Sequence, residues 1–533
     1  MVFWSLSHNP YCKLEIITSR NKKIEKMKKY NIFMLICLAA FLHSCFNDVN
    51  DFNYLTPEVI SVTGLNTSYD RISQVDSLIF TPTVSSTDQN ADFEYFWGIY
   101  ETNVQGYAPK LDTLCKTLSI KYRIIQPAKA WILEFGVKNK HTGYTKIVSS
   151  TINVGTKFTR GWYVLKDDGT LSDLDLFLTP TTIVPTSSIE NVYSLVNGKK
   201  LDGKGLGLNF ESTYKSTVTG VNANTRAMFI FTDKDASIIN TNTVKEIRPF
   251  NTCFYMTPAV KAPNFMIVGS SSDYFVNNGI LYGISTITNN FGIFGNAQMR
   301  DAINSPYRLS KYYLTHTNNN PVFFDETSSS FVSASGASNM LSPITNAAVT
   351  SMSANKNNKT LLYLGPKGIT TFEGVAVLQD KTNPALKILS VITPSTTAFK
   401  MVNDTLLTTS KLYNAVNYTA NVGDESILYF VVGSNQVWSR NLVNKFEQLQ
   451  FTAPAGETIT YIRHRKSTET GYAFNYVMIG TTTDSGTYNV RMFTKTAGNL
   501  AATPAITLTG SGRVTDVFYL SPSASYGTYP NAY

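Results

Sequence analysis

Short runs in which apolar and polar residues alternate, punctuated by Gly, Asn, Asp, Ser and Pro, fill most of the 533-residue chain. A period of two is the mark of a strand with one buried face, so the pattern reads as all-β. Between residues 57 and 156, the stretches 58–63, 77–83, 93–100, 130–138 and 144–154 read as strands, spaced as in a small β-sandwich. In 93–100 (FEYFWGIY), Phe93, Tyr95, Trp97 and Ile99 share a face. A Trp in the middle of such a strand belongs in the core.

The rhythm changes at 160–169 (RGWYVLKDDG), where an apolar strand meets an Asp-Gly turn and a second strand follows, as in a hairpin. That unit recurs at 228–239, 265–281, 322–332, 361–377, 428–442 and 476–493. Seven hairpins with room between them for two more strands match the blades of a seven-bladed β-propeller. The stretch 513–520 (RVTDVFYL) is placed to complete the blade begun near Arg160 and so to close the ring. The innermost strand of each blade is expected to be the most apolar, which points to 228–231 and 428–432. Two or three further sandwiches in a row are the competing arrangement.

Ahead of all this lies an apolar run at 32–42, preceded by Lys28 and Lys29. It has the charge and length of an export signal and is shorter than the ~20 residues that a membrane span needs. The run ends in Leu42-His43-Ser44-Cys45, which resembles a bacterial lipobox. The resemblance implies cleavage before Cys45 and acylation of its thiol. Asn47, Asp48, Asn50 and Asp51 then resemble the acidic tether of Bacteroidota surface lipoproteins. The stretches 93–100 and 131–139 (WILEFGVKN), the turn 140–143 and the strand ending at Val154 resemble the PKD-like, immunoglobulin-type modules found near the anchor of such lipoproteins. The WxFGDG signature of true PKD domains is absent, since Gly98 is followed by Ile99 and Tyr100. The expected organisation is therefore a leader and signal peptide at 1–44, an acidic tether at 45–56, a PKD-like sandwich at 57–156 and a propeller at 160–533.

Charge adds little. Residues 1–44 carry seven Lys or Arg and two Glu, which is +5 of the formal +9. The basic balance thus belongs largely to the leader, and no nucleic-acid partner is expected. Beyond Cys45, only Cys115 and Cys253 remain, as two thiols or one disulfide.

Catalytic motifs are missing: there is no G-x-S-x-G elbow and no H-E-x-x-H. His141, in a hairpin turn, and His464, between Arg463 and Arg465, read as solvated surface. The cluster Asp167, Asp168, Asp173 and Asp175 is a weak metal candidate whose spacing does not match an EF-hand loop, and no cofactor is expected. The glycine-rich 203–207 lacks the Gly-Lys-Ser/Thr ending of a phosphate loop and reads as a bulge or turn. Tyr and Phe number 61 together, and sugars stack on such rings while Asn and Asp take their hydroxyls. Aromatics outside the predicted strands are the binding candidates: Tyr274, Phe275, Tyr307, Tyr312, Tyr313, Tyr413 and Trp438, with Arg440 beside it.

The reading that results is an outer-membrane lipoprotein, held to the bilayer through Cys45 and facing the cell exterior. Its expected partner is a glycan or surface protein, with an outer-membrane transporter as a further associate in nutrient uptake. One alternative is a carbohydrate-active enzyme, which needs a carboxylate pair roughly 5 to 9.5 Å apart in the funnel. The other is an adhesive protein, which needs an exposed apolar patch.

Overall fold

The computed structural model describes residues 57–101, 109–217, 222–285, 291–316, 319–368, 371–394, 398–423, 425–522 and 524. Cys45, the tether and the leader lie outside them. The chain divides into two compact units, residues 1–61 with 84–91, and residues 62–83 with 92–533. In the first, Ser86 Oγ donates to Glu58 Oε1 (2.6 Å) and Val59 N to Thr87 Oγ1 (3.0 Å). All that follows concerns the second.

Its N-terminal part is a sandwich. Five strands form one sheet in the order Ser68–Ile72, Thr145–Gly155, Lys129–Asn139, Phe93–Glu101 and Asp112–Cys115, with the first pair parallel. Ser77–Phe80 and Ile120–Arg123 pair separately. The alternation in Phe93–Glu101 does what its period demands: Trp97 is buried, 4.5 Å from the Phe135 ring and 6.1 Å from Phe80. Its indole nitrogen donates to the carbonyls of Thr117 (3.1 Å) and Leu118 (3.3 Å), so burying the ring leaves no polar atom unpaired.

Among the described residues, seven antiparallel blade sheets follow, with a two-stranded ribbon of Lys495–Thr496 and Asn499–Leu500 inserted in the last. In chain order from the second, their innermost strands are Gly205–Ser216, Pro263–Val268, Leu309–His316, Lys359–Pro366, Ala415–Ala420 and Glu457–Ser467. Each lies beside the next, and the circle is completed by Arg513–Leu520. This last strand is the innermost strand of blade 1, paired in register with Gly161–Asp167 from Gly161↔Leu520 to Asp167↔Arg513. The first and last strands of the propeller thus meet within one sheet, and the seven-bladed ring is closed.

The order of apolarity differs from expectation. Met228 to Phe231 and Leu428 to Val431 lie in second strands, Ala223–Thr232 and Ile427–Val432, not at the axis. A second strand is covered on both faces by neighbouring blades, so all its residues can be apolar; these are 2% exposed or less. Innermost strands carry more polarity. His464, on Glu457–Ser467, is 4% exposed rather than solvated: its Nδ1 accepts from Val422 N (3.0 Å) and its Nε2 meets Asn475 Oδ1 (2.7 Å). His141 is exposed, as the sequence suggests.

Turn chemistry follows the sequence closely. Gly169 takes φ +95° in the Asp168-Gly169 turn, and Asp168 Oδ1 accepts from the N–H groups of Thr170 (3.0 Å) and Leu171 (2.8 Å). The glycine-rich run is a turn at Gly203 (φ +90°) followed by a bulge between Gly205 and Gly207. Cys115 and Cys253 are both free thiols, and burial pushes that of Cys253 up.

Candidate functional site

The structure does not gather the aromatic candidates into one place. Tyr274 and Phe275 lie in the strand Ser272–Asn277 and Tyr312 and Tyr313 in Leu309–His316, not in loops, and all four are buried. Tyr274 Oη donates to Ala334 O (3.2 Å), Phe275 packs on Phe254 (4.8 Å), Tyr312 on Tyr363 (5.6 Å) and Tyr313 on Phe265 (4.6 Å). Tyr307 does sit between strands, but its hydroxyl is spent on Gln298 O (2.8 Å) and Leu281 N (3.0 Å). These side chains fill the spaces between blades.

The remaining three meet around blade 6. Trp438 and Arg440 share the strand Gln436–Asn441, and Tyr413 sits in the short 3₁₀ turn Lys411–Asn414. Arg440 is 6% exposed and clamped between Asp404 (2.7 Å) and Glu447 (2.9 Å). Lys411 Nζ lies 5.1 Å from the centre of the Trp438 ring, and Tyr413 Oη donates to Ala385 O (2.8 Å). The cluster fastens the turn to blade 6, since Glu447 also accepts from Lys411 N (2.7 Å).

The four aspartates are likewise divided among protein partners. Asp167 pairs with Arg513 (2.7 Å) and Asp175 with Lys166 (2.8 Å), both inside the closing blade. Asp173 accepts from the N–H groups of Leu174 (2.8 Å) and Ser194 (3.1 Å). Asp168 caps its own turn, and the N–H of Leu171 with the Thr170 groups holds its carboxyl down to about 2. Among the described residues, no group of three His, Cys, Asp or Glu could hold a metal.

A different place has the form of a binding site. A cleft of about 490 Å³ opens between blades 4 and 5, within the range of small-molecule sites. Blade 4 supplies Asn319, Asn320 and Ser333, and blade 5 supplies Phe372 and Phe399. The chain leaving Ser342–Pro343 bridges the two: Phe399 N donates to Thr345 O (2.9 Å) and Ala347 N to Phe399 O (3.1 Å). Ile344 and Thr345 thus form part of the lining because the strap is hydrogen-bonded across the gap. Asn319 is oriented by His316, with Nδ2 to Nδ1 at 3.0 Å, and the His316 and Phe372 rings lie 5.7 Å apart. Among the described residues, every lining side chain is a hydroxyl, an amide or apolar, and none is charged.

The sequence reading missed this cleft. Its one visible signal is the run of three Asn at 318–320 before Pro321, a polar turn between two apolar strands.

Deeper in the ring, burial raises the Glu211 carboxyl, and burial together with Glu211 raises that of Asp273 well above the carboxylate range. Glu211 Oε1 accepts from Thr213 N (2.6 Å) and Oγ1 (2.7 Å). The Asp273 carboxylate accepts no hydrogen bond among the described residues.

Fold and cleft together define an all-β protein in which a sandwich leads into a closed seven-bladed propeller. Residues 45–205 match the PKD-like family, a span that covers the sandwich and runs into the first blade. The combination is consistent with a surface binding or adhesive protein. No curated protein matches the sequence. Among solved structures, the chain is similar to a quinoprotein alcohol dehydrogenase-like protein from Bacteroides thetaiotaomicron, with 11% identity over 85% of this chain and 96% of that one and a TM-score of 0.39. It is also similar to dihydro-heme d1 dehydrogenase NirN, with 8% identity over 68% of this chain and 76% of that one and a TM-score of 0.39. The N-terminal domain of Nup159 is a third, with 9% identity over 56% and 80% and a TM-score of 0.30. Likeness at this level carries none of those proteins' activities to this chain.

Proposed function

We propose that the protein is a lipid-anchored, surface-displayed lipoprotein that binds an extracellular glycan or glycoprotein as an accessory to nutrient uptake, and that the sugar occupies the cleft between blades 4 and 5. The observation that carries this reading is the lining, with amides and hydroxyls set around a half-buried aromatic ring and no charged group among the described residues. A pyranose has the matching surface: an apolar face that packs on a ring, and a rim of hydroxyls that exchange hydrogen bonds with amides. The anchor rests on Leu42 to Cys45 and the Lys-flanked apolar run before them, where acyl chains add ~0.8 kcal/mol per buried methylene.

Binding of the intact protein to an array of neutral polysaccharides and host glycoproteins tests the first part. Phe372→Ala should weaken whichever glycan binds by about tenfold, the equivalent of ~1.4 kcal/mol. Unchanged affinity in that variant removes the cleft from the account. Mass spectrometry of the N-terminal peptide tests the second, since an unmodified Cys45 ends the anchor.

A protein-binding role is the second reading. It is favoured by Tyr255, Met256 and Phe291 in the connections flanking blade 3, which are 78%, 67% and 51% exposed. Substituting all three with Ser should abolish capture of a protein partner while leaving glycan binding intact.

A further inference from the structure

The open face of the large sandwich sheet carries a second groove, of about 540 Å³. Cross-strand register sets two neighbouring rows there, Glu94 with Lys138 and Thr145, and Phe96 with Gly136 and Ile147. Gly136 is what makes room for the Phe96 ring, because a Cβ at that position would lie 1.9 Å from ring atom Cε1. The ring therefore lies across the middle strand, half-buried, and Ile147 beyond it is 48% exposed. An apolar platform thus faces solvent where a polar sheet face would ordinarily be found.

Cations surround the platform. Lys116 and Lys138 both line the groove and make no ion pair or hydrogen bond among the described residues, while Lys140 shares its charge with Asp92 at 3.1 Å. Glu94 is the one carboxylate among the described residues of the lining, so the groove keeps a positive balance. The edge is open as well: Asp112–Cys115 pairs with its neighbour only from Trp97 onward, which leaves residues 93–96 without a strand on that side among the described residues.

We propose that this face is a saccharide site for acidic sugars, independent of the cleft in the propeller. The apolar face of a uronic or sialic acid residue stacks on Phe96, and its carboxylate meets Lys116 and Lys138. The charge complementarity selects carboxylated over neutral sugars, and the exposure of both lysines makes the attraction sensitive to salt. The bland rival is that Lys116 merely guards an open strand edge against pairing with another chain. A guard binds nothing, so the two readings part in one experiment.

Isothermal titration of the intact protein with tetragalacturonate and sialyllactose, beside neutral galactotetraose and lactose, supplies the test. At least one acidic sugar should bind about tenfold more tightly than its neutral counterpart, and lose about tenfold between roughly 0.02 M and 0.5 M salt. The preferred acid identifies which carboxylated sugar the site takes. The double variant Lys116→Gln/Lys138→Gln should abolish the preference without unfolding, because both residues are solvent-exposed. Phe372→Ala, in the propeller, should leave it unchanged. Absence of binding by both acidic sugars, or a preference that survives the double lysine variant, overturns the proposal.

Discussion

Asp516 shows at a single residue how the ring is held shut. It sits on the closing strand, fully buried, and its carboxylate faces Arg463 (3.1 Å) and Arg465 (3.0 Å) of blade 7 while accepting from Leu208 N (2.8 Å) of blade 2. Burial alone would raise this carboxyl, but the two guanidinium groups and the N–H outweigh it and hold it below its ordinary value. Asp516→Ala removes the carboxylate from two mostly buried cations and should cost roughly 3–5 kcal/mol in chemical denaturation. Because the folded value is the lower one, that stabilisation is present above an unfolded value of ~3.9 and is lost as pH falls through the folded value. The gap between wild type and variant should therefore be constant from about pH 5 to 8 and shrink below about pH 4. Asp273 has the opposite sign. Its carboxyl is raised, so the wild type loses stability as pH climbs above ~3.9, and Asp273→Asn should be the more stable form at pH 8 but not at pH 3. Neither role was legible in the sequence. Position 516 is one of three polar letters in the strand Arg513–Leu520, and its partners lie about fifty residues upstream and three hundred upstream of it. The same limit explains Tyr274 and Tyr313. Their sequence neighbours suggested loops, whereas the adjacent blades that bury them are separate in the chain.

At the level of strands and hairpins, the sequence was far more readable. All seven hairpin signals fall in seven different blades, because an apolar strand, a polar turn and a second strand form a local pattern. What stayed hidden was their phase. In blades 3 and 5, the signals at 265–281 and 361–377 are first and second strands, while in the other five they are second and third. Mixing the two phases made the spacing look erratic. Counted from second strand to second strand, Gly161 to Ala223 is 62 residues and Ser272 to Asn319 is 47. The innermost strands escaped notice because they mix charge with apolar residues, as Arg463, His464 and Arg465 do on Glu457–Ser467. Pairing of the closing strand makes a direct prediction. Val164 and Val517 stand opposite each other and are both buried. Opposed antiparallel residues have Cα atoms ~4.5–5.5 Å apart, inside the range a disulfide spans. Val164→Cys/Val517→Cys should form one and raise oxidised stability by roughly 3–5 kcal/mol, and reduction with dithiothreitol should reverse the gain. A double variant less stable when oxidised than when reduced would contradict the register.

For the molecule as a whole, the closed ring was inferable from repetition, whereas the cleft was not. Its lining comes from segments as far apart as Ser270 and Phe399, joined by a strap whose hydrogen bonds cross between blades. No local pattern encodes that meeting. Closure should also govern cooperativity. Trp162 of blade 1 packs at 4.6 Å on Tyr519 of the closing strand and at 5.0 Å on Phe474 of blade 7, so three parts of the sequence share one aromatic cluster. A chain ending at Gly512 loses Tyr519 and Asp516 together, and calorimetry should find its single sharp unfolding transition replaced by a broad, low-enthalpy one. Retention of the sharp transition would mean that six complete blades fold without the seventh being sealed. There is a consequence for the birth of the molecule too. Ribosomes add ~5–20 residues per second, so tens of seconds separate the emergence of Gly161 from that of Arg513. Throughout that interval blade 1 lacks its innermost strand and the ring stands open. The final strand thus serves as a completeness check. A product cut short by premature termination lacks that strand and should be cleaved by proteases faster than the finished chain, whose ring closes only with its last blade-forming residues.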